Sequence, residues 1–170
     1  MTTEIIRKNL FPNPRLVESG ARPADIQQAS IDWSGEGQLG LISEYGTAGD
    51  VIGGYCRFNV EVEPNTDYVL DCSLEWQAET VAGRGDTVSV RDSSEMILCK
   101  TALGKEGIDD LPLRFRSSSD GVLWVQFRGP RELHGRLIIR DVQLEPAATY
   151  DAAVAGGGAS FFSGDKNPLP

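Results

Sequence analysis

Two stretches of the chain place aromatic, amide and guanidinium side chains at every second position. The first trio is Tyr55, Arg57 and Asn59, and the second is Trp124, Gln126 and Arg128. Alternate residues of an extended strand point to the same side, so each trio would share one face. Aromatic planes stack on the C–H faces of sugars, whose hydroxyls pair with amide and guanidinium groups. The six residues are therefore candidates for binding a glycan.

Exposed aromatic side chains also mark contacts between proteins. On this interpretation, which we favour, Trp124 lies under a neighbouring subunit or under the adjacent Phe161 and Phe162 near the end of the chain. Burying a phenylalanine side chain stabilises a protein by about 1.5 to 3 kcal/mol. The phenylalanine pair is therefore predicted to dock into a groove, on this chain or on another subunit.

The sequence offers few residues that could carry out catalysis. The chain has one histidine, His134. It lacks the Gly-x-Ser-x-Gly nucleophile elbow, the His-Glu-x-x-His zinc motif and a glycine-rich phosphate-binding loop. Those motifs support hydrolase, zinc-protease and nucleotidase activities. A carboxylate pair for glycoside cleavage stays open, because nothing selects a pair among the 25 acidic residues. We expect a protein that is not an enzyme and has no catalytic residues.

Three cysteines, Cys56, Cys72 and Cys99, carry no Cys-x-x-Cys spacing, which disfavours a zinc site. Reduced thiols, at least two of them buried, are expected in a protein made in a cytosol. A bridge from Cys56 to Cys72 is the alternative, because one register of directly paired strands places them opposite each other. That argument lapses if the two strands lie in different sheets.

The charge and length of the chain exclude several classes of partner. Its 170 residues carry a net charge of −9, which repels phosphate backbones. The first residues lack the apolar stretch of a secretion signal, and no run of about 18 apolar residues could span a bilayer. We expect one domain, no nucleic acid partner and no membrane insertion.

Alternation of apolar and polar residues predicts strands along most of the chain. Two strands flank a turn at residues 63–66, and further strands are predicted at residues 87–91, 96–100, 111–115, 122–128 and 136–145. In the last strand the apolar positions change parity near Arg140 and Asp141, which a β-bulge would explain. Weaker patterns suggest one strand around Ile26, Ile31 and Trp33 and another around Leu39, Leu41 and Ile42, which brings the count to eight or nine strands.

No segment with helical periodicity reaches a credible length, so an all-β, antiparallel two-sheet jelly-roll sandwich is the predicted fold. Residues 1–8 are predicted to form an N-terminal arm, and residues 9–146 the sandwich. Residues 147–170, rich in Gly, Ala and Pro, are predicted to form an extended C-terminal tail.

Four segments resemble parts of a known group of domains. Residues 9–18 (NLFPNPRLVE) and 137–146 (LIIRDVQLEP) resemble the two ends of carbohydrate-binding-module-like, galactose-binding-like jelly rolls in virion proteins of tailed phages, particularly phages of actinobacteria. Residues 60–70 resemble the strand, proline turn and tyrosine strand of that group. Residues 161–165 resemble the aromatic, glycine and acid ending that often follows such domains.

The resemblance implies a place in a phage particle, assembled in the cytoplasm of the host bacterium. The expected function is that of a non-enzymatic virion structural protein, a minor tail or capsid decoration component. It would attach through contacts with other virion proteins, as a homo-oligomer or in repeated copies. The alternative is a carbohydrate-binding adhesin that recognises a host cell-surface glycan.

Many jelly rolls of this group hold a structural calcium ion, and the resemblance places its ligands at Glu18 and Asp141. Calcium needs six to eight oxygens. Arg140 directly precedes Asp141, and a cation beside the site argues against a metal. We therefore expect an ion pair from Arg140 or Arg15 to Glu18 or Asp141, and no cofactor, with calcium as the alternative.

Overall fold

The structure is a computed structural model that describes residues 6–46, 49–51, 53–79, 87–101, 111–157 and 166–168. Within these residues the chain forms twelve strands and one helix. The strands are β1 Ile6–Lys8, β2 Asp25–Gln27, β3 Ala29–Asp32, β4 Gln38–Ser43, β5 Tyr55–Glu61, β6 Asp67–Gln77, β7 Val88–Asp92, β8 Ile97–Thr101, β9 Leu113–Arg116, β10 Val122–Arg128, β11 Arg136–Pro146 and β12 Lys166–Pro168. The helix is α1, Ala147–Ala155. Among the described residues no helix is long and apolar enough to cross a membrane.

The strands build two antiparallel five-stranded sheets. The first sheet has the order β2-β5-β10-β7-β8, and the second has the order β3-β4-β11-β6-β9. The short strands β1 and β12 form a separate antiparallel pair. The predicted all-β two-sheet sandwich is confirmed. The excess over eight or nine strands lies in short strands, since residues 25–32 form two strands and the chain ends form another two.

The core lies between the sheets, because the alternation in each strand turns its apolar residues inward. In β10 the buried apolar residues are Leu123, Val125 and Phe127, as the sequence predicts. The ring centroids of Phe11 and Phe58 lie 4.7 Å apart within this core. Each such side chain contributes about 1.5 to 3 kcal/mol when buried.

The two ends of the sandwich meet at Asn9. Its Nδ2 donates to the carbonyl of Val142 at 2.8 Å, and its Oδ1 accepts from the backbone N–H groups of Leu144 at 3.0 Å and Phe11 at 3.1 Å. Asn9 is buried, so these bonds replace the water that its amide would otherwise need. This contact joins the two terminal segments that carried the family resemblance.

Strands β5 and β6, on either side of the predicted turn, lie in different sheets, so the register argument for a Cys56 to Cys72 contact does not hold. Cys56 instead lies opposite Phe127 in the first sheet. All three cysteines are free, and Cys56 and Cys72 are buried as predicted. Burial raises the pKa of the Cys56 thiol to about 12 and also raises the pKa of Cys72. Neither group is poised to react as a thiolate at neutral pH.

The predicted β-bulge is present in β11. Its register against β6 shifts between Arg140 and Gln143, and Asp141 adopts a φ of 53°. An extra residue in one strand reverses the side to which the following side chains point. Val142 and Leu144 therefore reach the core although Leu137 and Ile139 precede them with the other parity.

The sequence missed the helix α1, because nine residues are too few for a recognisable helical period. Tyr150 and Ala153 are its buried residues, and the Tyr150 hydroxyl donates to Oδ2 of Asp71 at 2.8 Å. The helix packs on the outward side of β6. By alternation, Val69 lies on the outward side of β6. It is fully buried because the helix covers that side.

Candidate functional site

The six candidate residues come together on one surface. Strands β5 and β10 are antiparallel neighbours in the first sheet. Their register forms three cross-strand pairs: Trp124 with Asn59, Gln126 with Arg57, and Arg128 with Tyr55. Since the residues between them are buried in the core, all six lie on the outward side of the sheet. We call this surface the first-sheet outer face.

Strand β7 extends the first-sheet outer face by two residues that sequence reasoning missed. Ser89 lies opposite Gln126, and Arg91 lies opposite Trp124. Both alternate with the buried Val88 and Val90, which is the signal that could have found them. Directly opposed residues have their Cβ atoms about 4.5 to 5.5 Å apart. Trp124 is therefore set between Asn59 and Arg91.

Trp124 and Tyr55 differ in how their rings are engaged. Trp124 is half-buried, and within the described residues no hydrogen bond or ring contact involves it. The Tyr55 ring has the guanidinium carbon of Arg57 at 4.8 Å from its centroid and that of Arg128 at 5.1 Å. These are cation–π distances. Tyr55 therefore supports two arginines, and Trp124 is the ring that a planar ligand can reach.

Glu95 links two arginines at this face. Nη1 of Arg57 lies 2.7 Å from Oε1 of Glu95, and Nη1 of Arg91 lies 3.9 Å from Oε2. Glu95 is half-exposed and adopts a φ of 68° in the turn between β7 and β8. The carboxylate of Asp92 holds that turn, because its Oδ1 accepts from the backbone N–H groups of Ser94 and Met96, both at 2.9 Å. The sequence alone gave no sign of Glu95, since its position depends on this turn.

Two polar side chains form a buried floor under the arginines. Ser89 and Gln126 are both 0% exposed although they lie on the outward side of the sheet. Oε1 of Gln126 accepts from Nε of Arg57 at 2.9 Å, which fixes the orientation of the amide. Within the described part of the chain, Nε2 of Gln126 and Oγ of Ser89 have no hydrogen-bond partner. Leaving a buried donor unpaired costs about 1 to 3 kcal/mol.

Arg128 fixes a loop at one end of the first-sheet outer face. Its Nη1 donates to the carbonyl of Gly53 at 2.9 Å. Gly53 has a φ of 83°, and a Cβ there would lie 2.7 Å from the carbonyl oxygen of Gly129. Only glycine fits this position without displacing backbone. The close approach keeps the loop against the end of β10.

Comparison with known proteins identifies the fold that carries this geometry. No protein-family model and no curated protein matches the chain. Among solved structures, a CBM4 carbohydrate-binding module matches with a TM-score of 0.55 and 12% identity, over 81% of this chain and 97% of that one. The fold is that of a carbohydrate-binding-module jelly roll.

Two further solved structures are similar at lower scores. The carbohydrate-binding module CBM6cm-2 from Cellvibrio mixtus lichenase 5A, in complex with cellotriose, has a TM-score of 0.48 and 7% identity, over 84% of this chain and 99% of that one. The enzymatically active domain of bacteriophage CBA120 tailspike protein 4 has a TM-score of 0.49 and 12% identity, over 80% of this chain. The match covers 21% of the tailspike chain.

The two predicted metal ligands do not form a metal site in the described residues. Glu18 is exposed and pairs with Arg22 at 3.2 Å, and Asp141 is exposed at the bulge of β11. No group of three or more His, Cys, Asp or Glu side chains that could hold a metal occurs in this part of the chain. Calcium needs more oxygens than a carboxylate paired with an arginine can share, so these residues do not fit the ion.

The predicted ion pair from Arg140 to Glu18 or Asp141 is wrong, because Arg140 has other partners. Arg140 pairs with Glu75, at 2.8 Å, and its Nε donates to Oε1 of Gln38 at 3.1 Å. Both partners lie on strands beside β11. The cross-strand neighbours on that sheet, rather than the adjacent residue in the sequence, satisfy the guanidinium.

A cavity lies at the edge of the sandwich, away from the first-sheet outer face. A cavity of about 260 Å³ is lined by Glu18, Arg22, Pro23, Ile26, Ile31 and Trp33. Trp33 is half-buried and packs against the core. Sequence reasoning assigned Trp33 only to a predicted strand and therefore missed this cavity. Phe161 and Phe162, predicted to dock, lie outside the described residues, and their docking stays a prediction.

Proposed function

We propose that this protein binds carbohydrate through the first-sheet outer face. The observation that carries the proposal is the half-buried Trp124, set in register between Asn59 and Arg91 and beside the unpartnered donors of Ser89 and Gln126. An aromatic ring flanked by amide, hydroxyl and guanidinium groups offers both contacts that a sugar makes. The sugar ring would stack on the indole, while its hydroxyls pair with the polar side chains.

The fold supports this proposal without deciding it. A jelly roll hosts many functions, so the function must come from the residues of the site. The similar CBM4 structure is a carbohydrate-binding module, and this chain shares its fold. Here the residues that suit sugar stacking lie together on one sheet face, which is the additional support that the fold alone does not give.

Carbohydrate binding replaces the virion structural role as the leading function. The phage-particle location, the attachment to other virion proteins and the repeated copies stay predictions that rest on short sequence motifs. The binding proposal rests on the placement of six predicted residues and two further ones on a single face. The two roles are compatible, because a protein of a particle can also bind a glycan.

We further propose binding without cleavage. At the first-sheet outer face, Glu95 pairs with Arg57 and Asp25 accepts from Nε2 of Gln27 at 2.9 Å, which leaves Glu61, exposed at the end of β5, as a single carboxylate without such a partner among the described residues. Glycoside cleavage requires one carboxyl group that donates a proton and a second that acts opposite it. Release of reducing sugar from a bound oligosaccharide would contradict this part of the proposal.

The test is a glycan array followed by titration calorimetry with the oligosaccharide that binds. Replacing Trp124→Ala should weaken binding about tenfold, since a stacked ring contributes roughly 0.5 to 1.5 kcal/mol beyond its buried area. Trp33→Ala, at the edge cavity, is the matched control and should leave affinity unchanged. No saturable ligand, or loss of binding in the Trp33 variant alone, would contradict the proposed site.

A further inference from the structure

The first-sheet outer face brings several arginine side chains together on an acidic protein. The chain as a whole has a net charge of −9. On this face Arg57, Arg128 and Arg91 lie on the three adjacent strands β5, β10 and β7, and Arg57 and Arg91 share the carboxylate of Glu95. A guanidinium binds a carboxylate through two parallel hydrogen bonds. Asp25, opposite Arg57, and Glu61, at the end of β5, lie on the same face, so its distinguishing feature is the convergence of two guanidiniums on one carboxylate.

The carboxylate of Glu95 shows that an anion of this kind fits between Arg57 and Arg91. Its carboxylate reaches Arg57 at 2.7 Å and Arg91 at 3.9 Å from a turn where it has an unfavourable positive φ. The Glu95 side chain is 50% exposed, and the side chains of Arg57 and Arg91 keep 15% and 17% exposure, so the guanidiniums are in part accessible from water. A pair with an exposed partner contributes little to stability, which makes the carboxylate easy to displace.

The buried floor beneath the arginines supplies a second, independent sign of a ligand. Nε2 of Gln126 and Oγ of Ser89 are fully buried and have no partner within the described residues. The two side chains lie opposite each other, and the Gln126 amide is held by Arg57. Buried donors without partners are rare in folded proteins, and each needs an acceptor that the described chain does not supply. Oxygen atoms of an anionic sugar would satisfy both donors.

We propose that the saccharide bound at this face carries a carboxylate, and that Glu95 occupies the place of that carboxylate in the unbound protein. This inference rests on the proposed carbohydrate binding. On binding, the sugar carboxylate takes the position between Arg57 and Arg91, and the Glu95 side chain moves into water. Trp124, which lies beside Arg91, holds the sugar ring next to that charge.

The experiment compares uronate-bearing oligosaccharides with the same oligosaccharides after reduction of their carboxyl groups, and with sulfated neutral oligosaccharides. The uronate form should bind best, and added salt should weaken its binding more than that of the reduced form. Glu95→Gln should tighten binding of the uronate form by roughly fivefold and leave the reduced form unchanged. Glu75→Gln is the matched control, because Glu75 is a similarly exposed partner of an arginine on the second sheet.

The outcomes separate this inference from the proposed function. Equal binding of the uronate and reduced forms, lost in Trp124→Ala, would overturn the charge requirement and leave carbohydrate binding standing. Stronger binding of the sulfated form would overturn the choice of a carboxylate. Tighter binding in Glu75→Gln as well would show a general effect of net charge. No binding of any form would overturn both proposals.

Discussion

The outer faces of the two sheets leave different kinds of buried polar group without a partner. On the second sheet, α1 covers β6, and the buried Arg7 and Glu145 side chains form an ion pair with each other. Within the described residues, the second sheet leaves a buried acceptor without a partner, Oε1 of Gln143, whereas the first sheet leaves the buried donors of Ser89 and Gln126 without one. Partnered buried charges specify how a chain packs, whereas unpartnered donors cost stability. This difference is the basis for proposing a structural role for the second sheet's outer face and a ligand for the first sheet's.

Breaking the ion pair under the second sheet should have the largest effect on stability. Arg7 is 1% exposed and Glu145 is 0% exposed, so Arg7→Leu leaves a carboxylate buried without its cation. Removing one partner of a buried pair costs about 3 to 5 kcal/mol. We expect the melting temperature to fall by roughly 10 °C in differential scanning calorimetry, at about 2 to 4 °C for each kcal/mol.

Two variants sharpen this prediction. Arg114→Leu removes an ion pair to Asp151 in which both side chains are more than half exposed, and it should cost less than about 1 kcal/mol. The double variant Arg7→Leu with Glu145→Leu should be more stable than Arg7→Leu alone, because no buried charge is left over. Equal melting temperatures for Arg7→Leu and Arg114→Leu would contradict the assignment of Arg7 to a desolvated pair.

The contact that docks α1 on the second sheet should have the next largest effect. Tyr150→Phe removes the hydroxyl that donates to Asp71, and a hydrogen bond to a charged group contributes about 1.5 to 3 kcal/mol. Burial of Tyr150, together with its bond to Asp71, raises the pKa of the hydroxyl to about 12. The folded protein therefore keeps this proton at pH values where an unfolded tyrosine, with a pKa of about 10, loses it.

The sign of this pH dependence follows from the raised pKa. The stabilisation by Tyr150 is complete below about pH 10 and is lost as the pH rises towards 12. The difference in melting temperature between the native chain and Tyr150→Phe should therefore narrow over that interval. Tyr45→Phe, at a residue that is 61% exposed, is the control and should show no difference. A constant difference across the interval would contradict the role of the hydroxyl.

Sequence alternation was enough to predict the two strands that carry the proposed site. The outward trios of β5 and β10 share a period of two, and their apolar neighbours fix which side faces the core. The bulge of β11 was also predictable, because the inward parity changes within one strand. What the pattern could not supply was which strands are neighbours. The β5 and β6 strands are consecutive in the chain and nevertheless lie in different sheets.

The residues that sequence reasoning missed depend on contacts between distant segments. Arg7 and Glu145 are separated by 138 positions, and nothing local to either residue marks them as a pair. Glu95 reaches Arg57 only because the turn before β8 adopts a left-handed conformation. Helix α1 is nine residues long, and its stability comes from packing on β6 rather than from its own sequence.

Two fully buried serines offer the smallest and most direct test of the comparison between the faces. Oγ of Ser43 donates to the carbonyl of Pro130 at 2.5 Å, whereas Oγ of Ser89 has no partner within the described residues. Ser43→Ala should therefore destabilise the protein by about 1 kcal/mol, since it leaves a buried carbonyl unpaired. Ser89→Ala removes an unpaired hydroxyl, so it should leave stability unchanged or raise it by up to about 1 kcal/mol. Urea unfolding of the two variants measures both changes.

Binding should move in the opposite direction for Ser89→Ala. If the Ser89 hydroxyl forms a hydrogen bond to the bound ligand, its removal should weaken oligosaccharide binding severalfold, while the stability of the protein stays the same or rises. Ser43→Ala should keep full affinity, because Ser43 lies on β4 of the second sheet. A Ser89→Ala protein that is less stable and binds as well as the native chain would mean that the hydroxyl serves the fold. The first-sheet outer face would then be a structural surface like the other, and the difference between the two faces would be lost.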